Sequence, residues 1–172
     1  MIAISISGNT KEILSILDYK SKSDAKFVAI SSGGIMVKKC MENSIPHYNI
    51  PMNHSPRASF GVFLYSILNI LGDALPIQKS EVIESLEKMD QLQKNINSKK
   101  LDEENQSLNL AKKINLNPLI YYPDGLKAAA IRFKNSLQEN SKIHTSIEDV
   151  IEASHNSIST WENNNNFKPI LL

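Results

Sequence analysis

The sequence predicts an α/β fold built as two partial doubly wound lobes, with parallel sheets joined by connecting helices. Short apolar runs typical of strands alternate with stretches in which apolar residues recur at helical spacing. Serine- and glycine-rich turns follow the first two of these runs directly. This order of elements favours parallel sheets, which bind ligands at the carboxyl ends of their strands.

The first lobe is predicted to span residues 1–76. "IAISI" has the composition of a strand, and in "KEILSILDYK" the apolar residues have helical spacing. "KFVAISSGG" repeats the plan, and "HYNIP" offers a third short strand. In chain order, the predicted elements are a strand at 2–6, a helix from 11, a strand at 27–30, a helix through Met41 and a strand at 47–51.

A long apolar helix is expected at the end of this lobe. In "HSPRASF", Ser55 is a good N-cap and Pro56 suits the first helical position, so the helix is predicted to run from there to Gly72. Its most apolar part, residues 59–71, is shorter than the roughly 20 residues that cross a bilayer. We therefore predict a buried helix and no membrane partner.

Residues 77–116 are predicted to be a helical connector, and 117–172 the start of a second lobe. The stretch 80–112 is rich in Glu, Lys, Gln and Asn and favours one or two amphipathic helices. "NPLIYYPDG" then restarts the strand pattern at 117. The further predictions are a helix over "LKAAAIRFKNSLQENSK", a second helix at roughly 147–160, a turn at "NNNN" (163–166) and a final strand at "KPILL".

Composition excludes several classes of function. The 172 residues carry a formal net charge of +1, which argues against nucleic acid or an anionic membrane as a partner. Cys40 is the one cysteine, so no internal disulfide forms, and a cytoplasmic location is expected with no signal peptide. We expect no cofactor and no metal, because the chain has no Gly-x-Gly-x-x-Gly motif and no cluster with metal-ligand spacing.

The turn "SISGNT" is the first candidate site. Ser5, Ser7 and Thr10 offer hydroxyl groups at the start of a helix, and Gly8 allows the backbone to come close to a ligand. This geometry suits a phosphate group. The alternative is that Thr10 only caps the helix, and the Ser-Ser-Gly-Gly turn at 31–34 is open to the same two interpretations.

A polar helix face is the second candidate site. Arg132, Asn135 and Glu139 are spaced so that one α-helix would bring all three to one side. Ala130, Phe133 and Leu137 fall on the opposite side. The pattern fits either a catalytic face or a solvated face with an ion pair.

These motifs together resemble a known family. "SISGNT", then a strand with "SSGG", then "SPR" is similar to the flavodoxin-like sugar isomerase (SIS) domain. "AAAIRFKNSLQENSK" followed by "HNSISTW" resembles the archaeal-type bifunctional phosphoglucose/phosphomannose isomerases. The resemblance covers nearly the whole chain and is thinnest at 80–112. It implies reversible isomerisation of glucose 6-phosphate, fructose 6-phosphate and mannose 6-phosphate through a cis-enediol, in carbohydrate metabolism.

The same resemblance assigns roles to individual residues. It implies that Glu139 is the base that moves a proton between C1 and C2, and that Arg57 stabilises the enediolate. His155 is implied as the ring-opening group, contributed by the neighbouring subunit of a homodimer with shared active sites. Ser5, Ser7 and Thr10 correspond to the phosphate-binding turn.

The remaining histidines, His47, His54 and His144, lie in no motif and are expected to be structural. The chain also departs from the family at both ends. An initial strand with a "GGS"-type turn has no counterpart, nor has the last strand and helix with their lysine and threonine, and Lys168 does not replace that lysine. We therefore expect a fragment or a truncated member. The alternatives to an isomerase are a non-catalytic sugar-phosphate-binding SIS module or an inactive fragment.

Overall fold

A computed structural model, which describes residues 1–163 and 166–172, confirms the α/β prediction. It contains two three-stranded sheets, and every strand pairing in both is parallel. The chain divides into two compact units, Met1–Glu84 and Ser85–Leu172. Within the described residues, no helix combines the length and apolar character needed to cross a membrane.

The first unit is a helix–sheet–helix layer structure. Its sheet has the order β1-β2-β3, and the register pairs Ser5 with Ser31 at the carboxyl ends of β1 and β2. Connections through helices produce this parallel arrangement. The elements are β1 (Ile2–Ser5), α1 (Lys11–Leu17), β2 (Val28–Ser31), α2 (Gly34–Glu42), β3 (His47–Asn49) and α3 (Phe60–Ile70).

Alternation along β2 divides the core between the two faces of this sheet. Ala29 points to a cluster with α1 and α2, which contains Leu17 and Met36, each 0% exposed. Ile30 points to the other face and packs with Phe63 of α3. Because successive side chains of a strand face opposite ways, a short apolar strand can serve both layers.

The apolar helix α3 begins later than predicted. Pro56–Ala58 forms a separate 3₁₀ turn, and α3 starts at Phe60. The side chain of Ser59 is buried, and its Oγ donates to the backbone oxygen of Ser55 at 2.9 Å, which ends the 3₁₀ turn and starts the helix. The prediction of a buried helix was also wrong in part, because the three-stranded sheet covers one side only: Phe63 is buried, whereas Phe60 is 45% exposed.

The second unit has a sheet of order β5-β4-β6. Helix α4 runs from the first unit into the second, so that two connecting helices precede the sheet, as predicted. The elements are α4 (Lys79–Ile96), α5 (Gln106–Lys113), β4 (Asn117–Tyr122), α6 (Lys127–Ser136), β5 (Ser146–Asp149), α7 (Val150–His155) and β6 (Phe167–Leu171), with a π-helical turn at Leu137–Ser141 and a 3₁₀ segment at Ser157–Glu162.

The helix predicted at 147–160 was wrong over its first residues. Ser146–Asp149 forms strand β5, which pairs with β4 so that Ile147 lies beside Ile120. Pairing with the central strand therefore decides the conformation, although Glu148 and Asp149 resemble the acidic start of a helix. Helix α7 begins at Val150, directly after β5, where Asp149 Oδ1 accepts from the Ile151 N–H at 2.9 Å. Of the turn predicted at 163–166, residues 164 and 165 lie outside the described residues.

Cys40 provides a probe of the first unit. It is 1% exposed in the cluster under α2, and burial raises the pKa of its thiol. Since the thiolate is the reacting species, a soluble disulfide reagent is expected to modify the native chain roughly a thousandfold more slowly than the unfolded chain, a protection that corresponds to an opening free energy of about 4 kcal/mol. Stopped-flow absorbance with and without denaturant checks this. Equal rates in the two states would contradict the burial of Cys40.

Candidate functional site

The first hydroxyl turn (residues 5–10) joins β1 to α1 and is held by its own side chains. The Ser5 hydroxyl accepts from the Gly8 N–H at 3.1 Å and lies 2.9 Å from Thr10 Oγ1. Ser7 Oγ accepts from the Asn9 N–H at 3.3 Å. Ser5 is buried, Ser7 is half-buried and Thr10 is exposed. The hydroxyls of Ser7 and Thr10 are therefore the ones that solvent can reach.

The capping alternative for Thr10 is confirmed for its position and wrong for its side chain. Thr10 occupies the N-cap position of α1, and its backbone carbonyl accepts from the Leu14 N–H, but its side chain makes no capping hydrogen bond. The hydroxyl turns instead toward Ser5. Ser5 and Thr10 thus close the turn across its base, and the hydroxyl of Thr10 stays at the surface.

The second hydroxyl turn (residues 31–34) packs directly against the first. Asn9 Oδ1 accepts from the Ile35 N–H at 3.0 Å, so a side chain of the first turn caps α2. The Met36 N–H donates to the Gly8 carbonyl at 2.9 Å, and Ser32 donates to the Ile6 carbonyl through its N–H and its hydroxyl. Local patterns predict both turns at strand ends, but they carry no signal for the role of Asn9, whose partner lies 26 residues away.

Two glycines make this close approach possible. Gly8 has a φ of +69°, and a Cβ there would lie 1.8 Å from the Gly33 carbonyl oxygen. Gly34 has a φ of +72°, and a Cβ there would lie 2.4 Å from the Ser7 carbonyl oxygen. Both positions therefore require glycine for conformation and for space.

Behind the turns, the buried Ser31 hydroxyl is a hydrogen-bond hub. It donates to the Gly33 carbonyl at 3.0 Å, accepts from the Gly33 N–H at 3.2 Å and lies 2.8 Å from His47 Nε2. His47 comes from the start of β3 and is half-buried. The contact agrees with the expectation that this histidine is structural.

Burial lowers the pKa of His47 below its ordinary 6.5. Between the lowered value and 6.5 the unfolded chain binds more protons than the folded chain, so stability falls as the pH drops through this window and is fully present above it. We expect His47→Gln to flatten the pH dependence of unfolding free energy between about pH 7.5 and pH 5. Urea unfolding of both proteins, followed through the reactivity of Cys40, measures the difference. A slope unchanged by the substitution would contradict the lowered pKa.

Arg57 lies in the 3₁₀ turn Pro56–Ala58 of the first unit and is exposed. The Ser59 hydroxyl fixes the end of this turn by donating a hydrogen bond to the backbone oxygen of Ser55. The guanidinium is thus carried by a short, well-defined segment just before α3.

In the second unit, the polar residues of the predicted helix face lie on two kinds of helix. Arg132 and Asn135 belong to α6, but Glu139 lies in the π-helical turn Leu137–Ser141. The prediction of one continuous α-helical face was therefore wrong, because a π turn, with its i→i+5 hydrogen bonds, contains more residues per turn than an α-helix. The apolar side holds as predicted: Ala130 is buried, and Phe133 and Leu137 pack against the same core cluster.

Lys142 terminates the π turn. It adopts a left-handed conformation with a φ of +58°, and its Nζ donates to the backbone carbonyl of Glu139 at 2.7 Å. The side chain of Glu139 is exposed at this point of the surface. π-Helical turns are rare and often occur at functional sites, which is a signal that the residue pattern does not carry.

His155 is the last residue of α7 and is exposed. Asp149 caps the start of α7, and the 3₁₀ segment after His155 is tied to β4, where Trp161 Nε1 donates to Tyr121 Oη at 2.9 Å. Both ends of the segment that carries His155 are thus fixed to the sheet. In the described part of the chain, no three His, Cys, Asp or Glu side chains are grouped to hold a metal ion.

Comparison with known proteins shows which family the chain resembles. Residues 103–172 match the family described as bacterial phospho-glucose isomerase C-terminal SIS domain. The chain is 33% identical over 164 residues to the bifunctional phosphoglucose/phosphomannose isomerase of Pyrobaculum calidifontis and 30% identical over 167 residues to that of Aquifex aeolicus. Over most of its length, the chain is therefore similar to SIS-domain phosphoglucose/phosphomannose isomerases.

These alignments include 94% and 95% of this chain but 48% of each relative, so the chain spans about half the length of the curated relatives that it matches. The C-terminal domain of glucosamine-fructose-6-phosphate aminotransferase from Francisella tularensis shares the fold. It superposes with a TM-score of 0.60 at 17% identity, covering 99% of this chain and 49% of the other. The matched segment 103–172 contains both Glu139 and His155.

Proposed function

We propose that the protein is a sugar-phosphate isomerase that interconverts glucose 6-phosphate and fructose 6-phosphate and also accepts mannose 6-phosphate. The observation that carries this proposal is the 30–33% identity to bifunctional phosphoglucose/phosphomannose isomerases along more than nine tenths of the chain. The hydroxyl turn at the end of β1 supports it, because ligands of parallel α/β sheets bind at this edge.

The phosphate is assigned to the first hydroxyl turn. Ser7 and Thr10 present hydroxyl groups that solvent reaches, and these are the donors that we assign to the phosphate oxygens. Ser5 is buried and already bonded to Gly8 and Thr10, so its part is to shape the turn. This division refines the expectation that all three residues contact phosphate directly.

The acid–base chemistry is assigned to Glu139 and His155. Glu139 takes the proton from C2 of the open-chain aldose and returns it to C1 of the cis-enediol, while Arg57 stabilises the negative charge that develops on the enediol oxygens. His155 protonates the ring oxygen during ring opening. Both Glu139 and His155 are exposed in the isolated chain. We therefore propose a homodimer, in which His155 from the neighbouring subunit and the bound sugar cover Glu139.

A coupled assay for fructose 6-phosphate, with glucose 6-phosphate or mannose 6-phosphate as substrate and a chelator present, tests the proposal. Turnover of both substrates by the 172-residue chain is expected. Ser7→Ala and Thr10→Val are expected to raise KM with little change in kcat, because they remove binding groups that contribute equally before and during the reaction. Absence of turnover combined with absence of sugar-phosphate binding by calorimetry would overturn the proposal.

A non-catalytic sugar-phosphate-binding module is the second candidate. The exposure of Glu139 and His155 favours it, since acid–base chemistry requires shielding from water and phosphate binding does not. The module would bind glucose 6-phosphate and release it unchanged. Saturable binding without turnover, at protein concentrations at which the chain is dimeric by light scattering, would select this candidate over the isomerase.

A further inference from the structure

The two hydroxyl turns rest on a buried polar group that the proposed chemistry does not use. Ser31 is 0% exposed, and its hydroxyl has one hydrogen to donate and two lone pairs to accept. The hydrogen can go to the Gly33 carbonyl at 3.0 Å, and one lone pair accepts from the Gly33 N–H. One acceptor position is left, and His47 Nε2 lies 2.8 Å away.

This count bears on the tautomer of His47. If the Ser31 hydrogen goes to Gly33, the nitrogen of His47 that faces Ser31 carries a hydrogen and donates; otherwise Ser31 donates to an unprotonated Nε2. The first arrangement also satisfies the Gly33 carbonyl, and in it His47 completes the hydrogen bonding of Ser31 as an Nε2–H donor. Without that donor, a buried lone pair loses its partner, which is costly inside a protein.

The Gly33 carbonyl transmits this arrangement to the first hydroxyl turn. It accepts from Ser31 and lies against Gly8, so closely that a Cβ on Gly8 would come within 1.8 Å of it. Gly8 in turn donates its N–H to Ser5 and accepts from Met36 through its carbonyl. A change in the orientation of the Gly33 peptide cannot leave Gly8 in place.

We propose that His47 is a positioning residue for the first hydroxyl turn, acting through Ser31 and the Gly33 peptide to hold the turn in the conformation that receives a sugar phosphate. The ligand in this proposal rests on the proposed function. The effect on the turn does not, and it can be measured without any ligand.

Glutamine and asparagine provide matched substitutions. The Gln side chain places an amide N–H where Nε2 of histidine lies, whereas the Asn amide is too short to reach Ser31. In His47→Asn, the amide hydrogens of Gly8 and Met36 are expected to exchange roughly tenfold faster than in the wild type, the effect of losing one buried hydrogen bond. In His47→Gln they should keep their protection, and the amide of Leu71, the residue that caps the end of α3, should be unchanged in both.

The unmodified chain offers an independent measurement. The ¹⁵N shifts of the His47 ring at pH 8 are expected to report the Nε2–H form, and the Nδ1–H form would overturn the proposal even if the asparagine variant failed to fold. Equal protection of Gly8 in the asparagine and glutamine variants would overturn it as well.

Glucose 6-phosphate binding separates this proposal from the proposed function. The affinity of His47→Asn, measured by calorimetry, is expected to be about tenfold lower and that of His47→Gln near the wild-type value, in parallel with Gly8 exchange. Faster Gly8 exchange with no change in affinity would overturn the link to the ligand. If the wild type bound no sugar phosphate, the proposed function would fail, and the exchange data alone would decide the role of His47 in the turn.

Discussion

Gly8→Ala is expected to lower the free energy of unfolding of the Met1–Glu84 unit by about 5 kcal/mol. Alanine at a φ of +69° costs about 1–2 kcal/mol, and forcing a methyl group into a closely packed site costs about 1–3 kcal/mol more. A unit of this size has a stability on the order of 4–13 kcal/mol. The added Cβ would overlap a backbone carbonyl, which cannot move aside as a flexible side chain can, so the penalty is expected at the upper end.

Two other glycines separate the causes of this effect. Gly33 has a φ of +137°, and a Cβ added there would have no atom within 4 Å, so Gly33→Ala carries conformational strain without overlap. Gly61 lies within α3 and also has open space, so Gly61→Ala is expected to stabilise the unit by about 0.5–1 kcal/mol. From most to least stable, the expected order is Gly61→Ala, wild type, Gly33→Ala and Gly8→Ala.

Cys40 reports the result directly, because it is the single thiol and lies in the core of this unit. Rapid modification of Cys40 in Gly8→Ala, together with slow modification in Gly61→Ala, is the expected outcome. A Gly8→Ala protein with wild-type Cys40 protection would mean that the two hydroxyl turns do not approach each other as closely as described.

The first unit shows which structural features the local sequence predicts and which it does not. The strands, the two turns and the need for glycine follow from local patterns: apolar runs of four or five residues, then Ser and Gly. The bond from Ile35 to Asn9 and the link from Ser31 to His47 join residues 26 and 16 positions apart. No local pattern encodes such contacts, since they arise only when parallel strands bring their carboxyl ends together.

The second unit deviates from prediction for the same reason. Ser146–Asp149 has acidic residues typical of a helix start, yet it becomes a strand because β4 provides a partner for Ile147. The π turn at Glu139 is likewise invisible in the spacing of Arg132 and Asn135, which indicates an ordinary α-helix. Residue identities indicated the candidate groups, whereas their local geometry depends on how the helix ends at Lys142.

Glu139→Gln is expected to lower kcat for both glucose 6-phosphate and mannose 6-phosphate by about 10²–10⁴, the usual contribution of a general base. The amide keeps the shape of the side chain but cannot take up the C2 proton. KM should change little, because the groups assigned to the phosphate, Ser7 and Thr10, are untouched. The backbone of the π turn should also persist, because Lys142 binds the main-chain carbonyl of residue 139 and not its carboxylate.

Glu103→Gln is the matched control, since it removes the same charge from an exposed glutamate of the second unit outside the assigned site. It is expected to leave kcat and KM unchanged. Steady-state kinetics of the two variants, with the KM effects of Ser7→Ala and Thr10→Val alongside, distinguish a base from a binding group. If Glu139→Gln retained its kcat, Glu139 would not be the base that transfers the proton. A rise in KM alone would make this residue part of the sugar-binding surface, because an interaction made equally with substrate and transition state changes affinity without changing turnover.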